Sequence, residues 1–164
     1  MDIKKVEDAQ QINLLAAIAD EIWHEYFGII ISDEQIDYMV EKFQSEHAIT
    51  SQIQNDGYEY YMFYIGDEPI GYNGIKPEKD ALFLSKLYIK KEHRSKGYAS
   101  KAFEFLTDYC KNHGLKYIYL TVNRRNDDTI NIYKKKGFYV TEEKCADIGN
   151  GFVMDDYIMR LDIK

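Results

Sequence analysis

The pattern R-x-x-G-x-A lies where an apolar run meets an amphipathic helical pattern, at Arg94-Ser95-Lys96-Gly97-Tyr98-Ala99. A helix N-terminus leaves about four backbone N–H groups without partners inside the helix, and the helix dipole favours negative charge there. Gly97 allows close approach of the main chain, while Arg94 and Lys96 add positive charge. The pattern therefore predicts a pyrophosphate site, which we call the phosphate loop. The alternative is an ordinary surface helix that happens to begin with these residues.

Two common phosphate-binding motifs are missing from the chain. It has neither G-x-x-x-x-G-K-[ST] nor a G-x-G-x-x-G after an early strand. The expected ligand is therefore neither a P-loop nucleotide nor a Rossmann dinucleotide. Cys110 and Cys145 are far apart and lack metal-ligand spacing, so we expect reduced thiols and no metal site.

Length and composition predict one domain covering residues 1–164. Hydrophobic residues make up 45% of the chain, with fifteen tyrosines and eight phenylalanines, which indicates a packed globule. The apolar runs are shorter than a membrane span, and the start MDIKKVEDAQ has no signal-peptide pattern. We therefore expect a cytoplasmic protein that does not associate with membranes.

Charge is unevenly distributed along the chain. The net charge of -7 argues against nucleic acid as a partner, because phosphate backbones require a basic surface. Residues 20–68 contain twelve acidic side chains and one basic one, Lys42. Residues 86–101 contain six lysines or arginines and one acid, Glu92. The acidic stretch predicts attraction of a cationic ligand, and the alternative is that both stretches are simply solvated faces.

The elements that would position the phosphate loop follow from hydrophobic periodicity. The sequence predicts a first strand, helices at residues 9–24, 32–43 and 48–54, and a hairpin at 58–65 and 70–75. A strand at 81–89, a helix from about 98 to 113, a strand at 116–122 and a helix at 126–136 follow. Two strands, FYVTEE and FVMDDYIMRL, end the chain. This order predicts a mixed sheet with helices on its faces.

The segments LSKLYI, R-x-x-G-x-A, LTVNRRN and INIYKKKGF occur in an order and spacing that resemble the GNAT N-acetyltransferase superfamily. The resemblance covers residues 82–138. It implies an α/β (α+β) fold with a mixed, mostly antiparallel sheet of six to seven strands, helices on both faces and a splayed parallel strand pair. The segment from Trp23 to Ser45 is also similar to the start of small bacterial polyamine and diamine acetyltransferases.

The resemblance implies acetyl-CoA as cosubstrate, bound where the strands ending at Ile89 and Val122 splay apart. Backbone groups of Leu87, Tyr88 and Ile89 would pair with its pantetheine arm, and one N–H near Tyr88 or Ile89 would stabilise the thioester oxyanion. The other implied contacts come from the phosphate loop and a later loop, at Arg94, Ser95, Lys96, Gly97, Tyr98, Ala99 and Asn126. For Asn126 a helix-capping role is the alternative.

Tyr133 corresponds to the tyrosine that the family directs at the CoA sulfur, so the resemblance makes it the general acid. A phenol can protonate a departing thiolate, since its unperturbed pKa is about 10 against about 8.5 for a thiol. For the base, Glu25 is the candidate, as a proton acceptor or as a contact to the acceptor amine. His24, Tyr26, Asn73, Ser85 and a water chain are alternatives.

The predicted reaction transfers acetyl from acetyl-CoA to a primary amine by direct attack in a ternary complex. Polyamines, lysine side chains and similar cationic amines are the expected acceptors. Two other classes of protein stay open: a non-catalytic acetyl-CoA-binding or regulatory domain, and an interaction module. A homodimer formed by edge pairing of the two final strands is compatible with each of these classes.

Overall fold

The computed structural model describes residues 1–164. It contains five helices and seven strands in the order predicted from the sequence. The helices are α1 (Ala9–Phe27), α2 (Asp33–Gln44), α3 (Glu46–Asn55), α4 (Tyr98–His113) and α5 (Asp127–Lys135). The strands are β1 (Asp2–Lys5), β2 (Glu59–Ile65), β3 (Glu68–Pro77), β4 (Ala81–Ile89), β5 (Tyr117–Asn123), β6 (Tyr139–Gly149) and β7 (Phe152–Asp162). A single 3-10 turn, Lys91–His93, lies between β4 and α4.

The strands form one sheet in the order β1-β2-β3-β4-β5-β7-β6. β4 and β5 are parallel, and the pairs β1–β2, β2–β3, β5–β7 and β6–β7 are antiparallel. Helices lie on both sides of this mostly antiparallel sheet. The predicted fold class is therefore confirmed.

The chain divides into two compact units. Unit 1 contains Met1–Lys76 and Lys86–Phe105, and unit 2 contains Pro77–Ser85 and Leu106–Lys164. Because the boundaries fall inside β4 and α4, each of these elements contributes residues to both units. The single domain over residues 1–164 stays a prediction.

Two elements are longer than the sequence predicted. Helix α1 continues past His24 to Phe27, which is buried and packs its ring 5.3 Å from that of Trp23. Strand β6 continues from residue 143 to Gly149 because it stays paired with β7, across two register shifts. The extra residues of β6 are polar and mostly exposed, so hydrophobic periodicity could not detect them.

Serine side chains begin two of the helices in unit 1. The hydroxyl of Ser32 accepts a hydrogen bond from the Gln35 N–H at 3.2 Å, as the sequence predicted. Ser45 does the same for Ala48 at 3.1 Å, which starts α3. Such contacts satisfy an N–H group that has no partner inside the helix, so they determine where α2 and α3 begin.

A buried chain of hydrogen bonds joins three helices to two strands in unit 1. Trp23 of α1 donates to the Tyr72 hydroxyl on β3 (2.8 Å), which donates to Gln44 Oε1 on α2 (2.7 Å). Gln44 Nε2 donates to the Tyr60 hydroxyl on β2 (3.0 Å), which donates to Gln52 Oε1 on α3 (2.5 Å). Burial raises the pKa of both tyrosines, so they stay protonated and able to donate.

In unit 2, β5 is paired on its two sides over different lengths. Its parallel pairing with β4 runs from Tyr117 opposite Ala81 to Leu120 opposite Leu84. Its antiparallel pairing with β7 continues to Asn123. The last three residues of β5 therefore extend beyond its register with β4.

Candidate active site

The phosphate loop has an unusual backbone conformation in unit 1. Ser95 and Gly97 have φ of 62° and 86°, both in the left-handed region. The first helical hydrogen bond of α4 runs from the Lys101 N–H to the Gly97 carbonyl (3.3 Å), so the amides just before Lys101 have no acceptor inside the helix. Turns of this kind direct successive N–H groups to one side and make anion-binding concavities. The geometry therefore suits a phosphate group.

Glycine is required at position 97 for its conformation rather than for lack of space. A Cβ added to Gly97 would meet nothing within 4 Å, and the residue is exposed. A left-handed φ is easy for glycine and costs other residues about 1–2 kcal/mol. Ser95 bears this cost in the same loop. Backbone strain of this kind concentrates at functional sites, and it fits the predicted role of the loop.

The side chain of Arg94 points to the end of α1. Its Nη1 and Nη2 donate to the two carboxylate oxygens of Glu25 at 2.7 and 2.8 Å, and its Nε donates to the Ile89 carbonyl at 2.9 Å. The guanidinium also lies 5.0 Å from the centre of the Tyr26 ring. The structure thus joins two residues that were predicted separately, a cofactor-binding arginine and a candidate base.

The three β4 residues predicted to pair with pantetheine use their side chains for packing. Tyr88 lies against four aromatic rings, with centroid distances of 5.5 to 6.0 Å, those of Trp23, Tyr26, Phe27 and Tyr72. Ile89 is buried in a cluster with Phe63, Ile70 and Ala102, and Leu87 and Tyr98 pack against that cluster. Any contact of Leu87, Tyr88 or Ile89 with a cofactor would therefore use the backbone, as the resemblance implies.

Gly71 of β3 holds the end of β4 in place. A Cβ at this position would lie 2.3 Å from the Tyr88 carbonyl oxygen and 3.1 Å from the Ile89 Cα. The neighbouring carbonyl of Ile70 accepts a hydrogen bond from the Lys90 N–H at 2.7 Å. Only glycine permits this approach of the two backbones. The backbone at Tyr88 and Ile89 is thus fixed by β3.

In unit 2, Asn126 occupies the N-cap position of α5, but its side chain makes no capping hydrogen bond. Its backbone N–H donates to the Asn123 carbonyl (3.0 Å), and its carbonyl accepts from Ile130 (3.0 Å). The side chain of Asn123 accepts from the Arg125 N–H at 2.9 Å. The capping alternative for the Asn126 side chain is therefore wrong.

Tyr133 is half-buried on α5, with its ring 5.5 Å from that of Phe138. Its carbonyl accepts hydrogen bonds from Lys136 and Phe138, where the helix ends. Asn126 and Tyr133 are seven residues apart, which corresponds to about two helical turns and places them on one side of α5. The two residues that the resemblance assigns in this part of the chain thus share a face.

The histidine considered as a base is bound by two acidic residues. His24 Nδ1 contacts the Asp20 carbonyl at 2.8 Å, and Nε2 contacts Asp37 Oδ1 at 2.5 Å. The hydrogen bond to the Asp20 backbone and then that to Asp37 raise the pKa of His24 above its ordinary value. A protonated imidazole cannot accept a proton, so this geometry disfavours His24 as the base.

The remaining alternatives are placed less suitably or carry no basic group. Asn73 is fully buried, and both polar atoms of its side chain lack hydrogen-bond partners. Tyr26 lies beneath the guanidinium of Arg94. Ser85 is half-buried on β4 in unit 2. None of them has the environment of a proton acceptor.

The acidic and basic stretches of the sequence pair with each other in unit 1. Besides Arg94 and Glu25, Lys90 lies 3.8 Å from Glu21, and His93 lies 3.3 Å from Glu68. The charge asymmetry therefore reflects internal pairing in part, rather than two separately solvated faces. Glu68, Glu92 and His93 also hold ligand atoms within 4.8 Å of one another, so the absence of a metal site stays a prediction.

Two ionisable residues in unusual environments were not singled out as site residues by the sequence. Lys86 is half-buried on β4, 6.0 Å from the Phe43 ring, and desolvation lowers its pKa to about 8. Asp156 on β7 is only 6% exposed, and burial, followed by the nearby Asp155 charge, raises its pKa to about 6. The signal for Asp156 was present, since an Asp-Asp pair interrupts an otherwise apolar strand pattern.

Comparison with known proteins decides the family. The model of the acetyltransferase (GNAT) family matches residues 15–138. The chain belongs to this family. It is therefore an acetyl-CoA-dependent N-acetyltransferase, as the resemblance predicted.

Individual relatives are more distant. An uncharacterized N-acetyltransferase of Lactobacillus delbrueckii subsp. lactis is 22% identical over 142 residues, covering 82% of each chain. The PaiA N-acetyltransferase of Thermoplasma acidophilum, solved with coenzyme A, superposes with a TM-score of 0.79 at 22% identity over 99% of both chains. The ribosomal-protein-S18-alanine N-acetyltransferase of Escherichia coli has a TM-score of 0.73 at 17% identity, over 99% of this chain and 93% of its own. These structures share the fold.

None of the five helices combines the length and apolar composition that a membrane span requires.

Proposed function

We propose that this N-acetyltransferase acetylates a cationic primary amine by direct attack in a ternary complex with acetyl-CoA. The observation that carries the cofactor part is the phosphate loop of unit 1. Left-handed residues at 95 and 97, an exposed glycine and the start of α4 present unpaired amides to solvent. Pyrophosphate is the group on CoA that this arrangement suits.

The phosphate-loop residues Arg94, Ser95, Lys96, Gly97, Tyr98 and Ala99 would hold the pyrophosphate mainly by their backbone. The side chain of Arg94 is already bound to Glu25, so its contribution would be to fix the loop. Backbone groups of Leu87, Tyr88 and Ile89 would bind the pantetheine arm, and one N–H near Tyr88 would stabilise the oxyanion. Asn126 in unit 2 completes the proposed cofactor residues.

Tyr133 is the proposed general acid for the CoA thiolate. Its position one face of α5 away from solvent, half-buried and seven residues after Asn126, supports this role. Glu25 lies on the acceptor-side helix α1, and its bidentate pair with Arg94 favours a positioning role over proton transfer. A free carboxylate would be needed for Glu25 to act as the base.

Exposed carboxylates on α2 support a cationic acceptor, whether a small molecule or a peptide. Asp33, Glu34 and Glu41 are exposed there and make none of the ion pairs described above. They would attract an ammonium group and repel an anionic amine. The similarity of this region to polyamine and diamine acetyltransferases points to the same acceptor class.

The cellular setting and the assembly are part of the proposal. Both cysteines are free thiols, which suits a reducing cytoplasm. Tyr139, Val140 and Val153 expose 46%, 39% and 52% of their surface on the two final strands. These apolar side chains support a homodimer formed along the β6 edge.

The test is acetyl-CoA-dependent release of free thiol with matched amines. The panel would contain 1,4-diaminobutane, a lysine peptide, a neutral primary amine and an amine that carries a carboxylate. Turnover on the first two and little on the others is expected. Calorimetric binding of acetyl-CoA without thiol release on any amine would support the non-catalytic alternative and overturn the proposal. Turnover restricted to neutral or anionic amines would remove the cationic acceptor class alone.

A further inference from the structure

We infer that Asp156 binds the ammonium group of the acceptor amine and takes its proton. The inference rests on the proposed function and assigns a residue on β7 of unit 2 to the acceptor. It would supply the base that Glu25 and His24, in their observed contacts, do not supply.

Asp156 is a buried carboxylate without a side-chain hydrogen bond. It is 6% exposed, and it pairs through its backbone with Asn123 of β5 on one side and Lys144 of β6 on the other. Its neighbour Asp155 makes an instructive contrast, since that side chain is 48% exposed and lies 2.9 Å from Arg124 Nε. Only the paired carboxylate is neutralised by the protein.

A carboxylate in this environment favours a cationic ligand. Burying an ionised carboxyl group without a partner is costly, and a bound ammonium would remove most of that cost. The charged groups that face Asp156 are Lys144 on β6, which favours ionisation, and Asp155 on its own strand, which opposes it. Lys144 is exposed and forms no ion pair with Asp156, so the carboxylate keeps its capacity to bind a second cation.

The position of Asp156 along the sheet suits this role. The register of β5 with β4 ends at Leu120, and Asp156 lies opposite Asn123, three residues further on. At about 3.3 Å per residue, the separation along β5 is roughly 10 Å. The proposed function places the acyl group near the end of β5, at Val122. Asp156 is thus one residue beyond the point where the acceptor nitrogen must arrive.

The proton balance of the reaction is complete with two residues of this chain. The acceptor ammonium gives one proton to the Asp156 carboxylate, which later releases it to solvent. The neutral nitrogen then forms the C–N bond to the acyl carbon while the C–S bond breaks. Tyr133 protonates the sulfur, and the second proton lost by nitrogen returns to Tyr133 through water. A carboxyl group whose pKa is about 6 is ionised and still basic near neutral pH, as such a base requires.

Asp156→Asn tests the inference, with Asp155→Asn as the matched control on the adjacent residue. With 1,4-diaminobutane, we expect Asp156→Asn to lower kcat/KM about 100-fold or more, while the KM for acetyl-CoA stays within about twofold. The acidic limb of the wild-type pH profile should disappear in this variant. In Asp155→Asn the limb should remain, at slightly lower pH, because one negative neighbour is gone. Asp156→Glu should recover part of the activity.

Other results would overturn it, in ways that separate it from the proposed function. Normal turnover with an intact acidic limb in Asp156→Asn would exclude Asp156 and leave the proposed function standing. If the wild-type enzyme showed no turnover on any amine, calorimetric titration of 1,4-diaminobutane into the CoA-loaded protein would decide. Loss of diamine binding in Asp156→Asn alone would support the cation site, and equal binding in wild type and both variants would reject it.

Discussion

Arg94 in the phosphate loop and Glu25 near the end of α1 form two parallel charge-assisted hydrogen bonds of 2.7 and 2.8 Å. Each side chain is 31% exposed, so the pair is only partly screened by water. The contact joins a helix on the proposed acceptor side to the loop that would bind the cofactor phosphates. A change on either partner is therefore transmitted to the other.

Arg94→Lys and Glu25→Gln should each weaken acetyl-CoA binding several-fold, because lysine cannot reproduce the two parallel hydrogen bonds and glutamine removes the charge. The double variant should be little worse than either single one. In a double-mutant cycle of urea unfolding, we expect a coupling energy of about 1 kcal/mol. Fully additive effects on binding and on stability would show that the pair does not act as a unit.

Gly97→Ala should raise the KM for acetyl-CoA about tenfold or more, because a left-handed φ costs alanine about 1 kcal/mol and the loop would relax. Gly57→Ala is the matched control. Gly57 has a φ of 79°, and a Cβ there would also meet nothing within 4 Å. Both variants should lose similar stability in thermal unfolding, but only Gly97→Ala should lose cofactor affinity. Equal KM values for the two would remove the loop from cofactor binding.

Tyr133→Phe should lower kcat by about tenfold or more, since the departing thiolate loses its proton donor. The acetyl-CoA dissociation constant measured by calorimetry should change little. Tyr139→Phe is a suitable control because Tyr139 is exposed and bonds to Asp162. A kcat equal to that of the wild type in Tyr133→Phe would leave the sulfur without this acid.

His24 should make the stability of the α1–α2 contact depend on pH. Its pKa is raised in the folded protein, so its contribution is fully present below about 6.5, the unfolded value, and is lost as the pH rises through the folded value. The difference in Tm between the wild type and His24→Gln should be largest in mildly acidic buffer and shrink toward alkaline pH. A difference that is constant with pH would mean that the imidazole does not change protonation on unfolding.

Asp156 should have the opposite relation to stability. Its pKa is raised to about 6 in the folded protein, so the folded state binds a proton more readily than the unfolded chain. Stability is therefore lost as the pH rises from about 4 through 6, and Asp156→Asn should raise Tm above the wild type at neutral pH but hardly near pH 4. A Tm that falls at neutral pH would indicate an ionic partner for this carboxylate in the folded protein.

The order of elements was predictable because each helix and strand carries its own periodicity or cap. β4 was found with both its ends, since LSKLYI is apolar and is flanked by turn residues on one side and by lysines on the other. The serine at position 32 marked the start of α2 by its spacing to Gln35. Local patterns of this kind need no knowledge of distant contacts.

The side-chain partners of the candidate site could not be predicted in the same way. Nothing local to Arg94 shows that its guanidinium meets a carboxylate 69 residues earlier in the chain. The burial of Asp156 likewise depends on neighbouring strands rather than on its own sequence context. Residue types and spacing therefore predicted which groups could take part in the chemistry, while the contacts that change their charge or orientation required the fold.

The hydrogen-bonded series from Trp23 through Tyr72, Gln44 and Tyr60 to Gln52 also limits how this enzyme can diversify. Replacing any one member by an apolar residue leaves a neighbour with an unmet polar group in the interior, at a cost of roughly 1–3 kcal/mol. Descendants that adopt new acceptors would have to exchange several of these five positions together, or keep all of them and vary only the outward residues of α1, α2 and α3. The evolutionary freedom of the acceptor side is thus confined to its solvent surface.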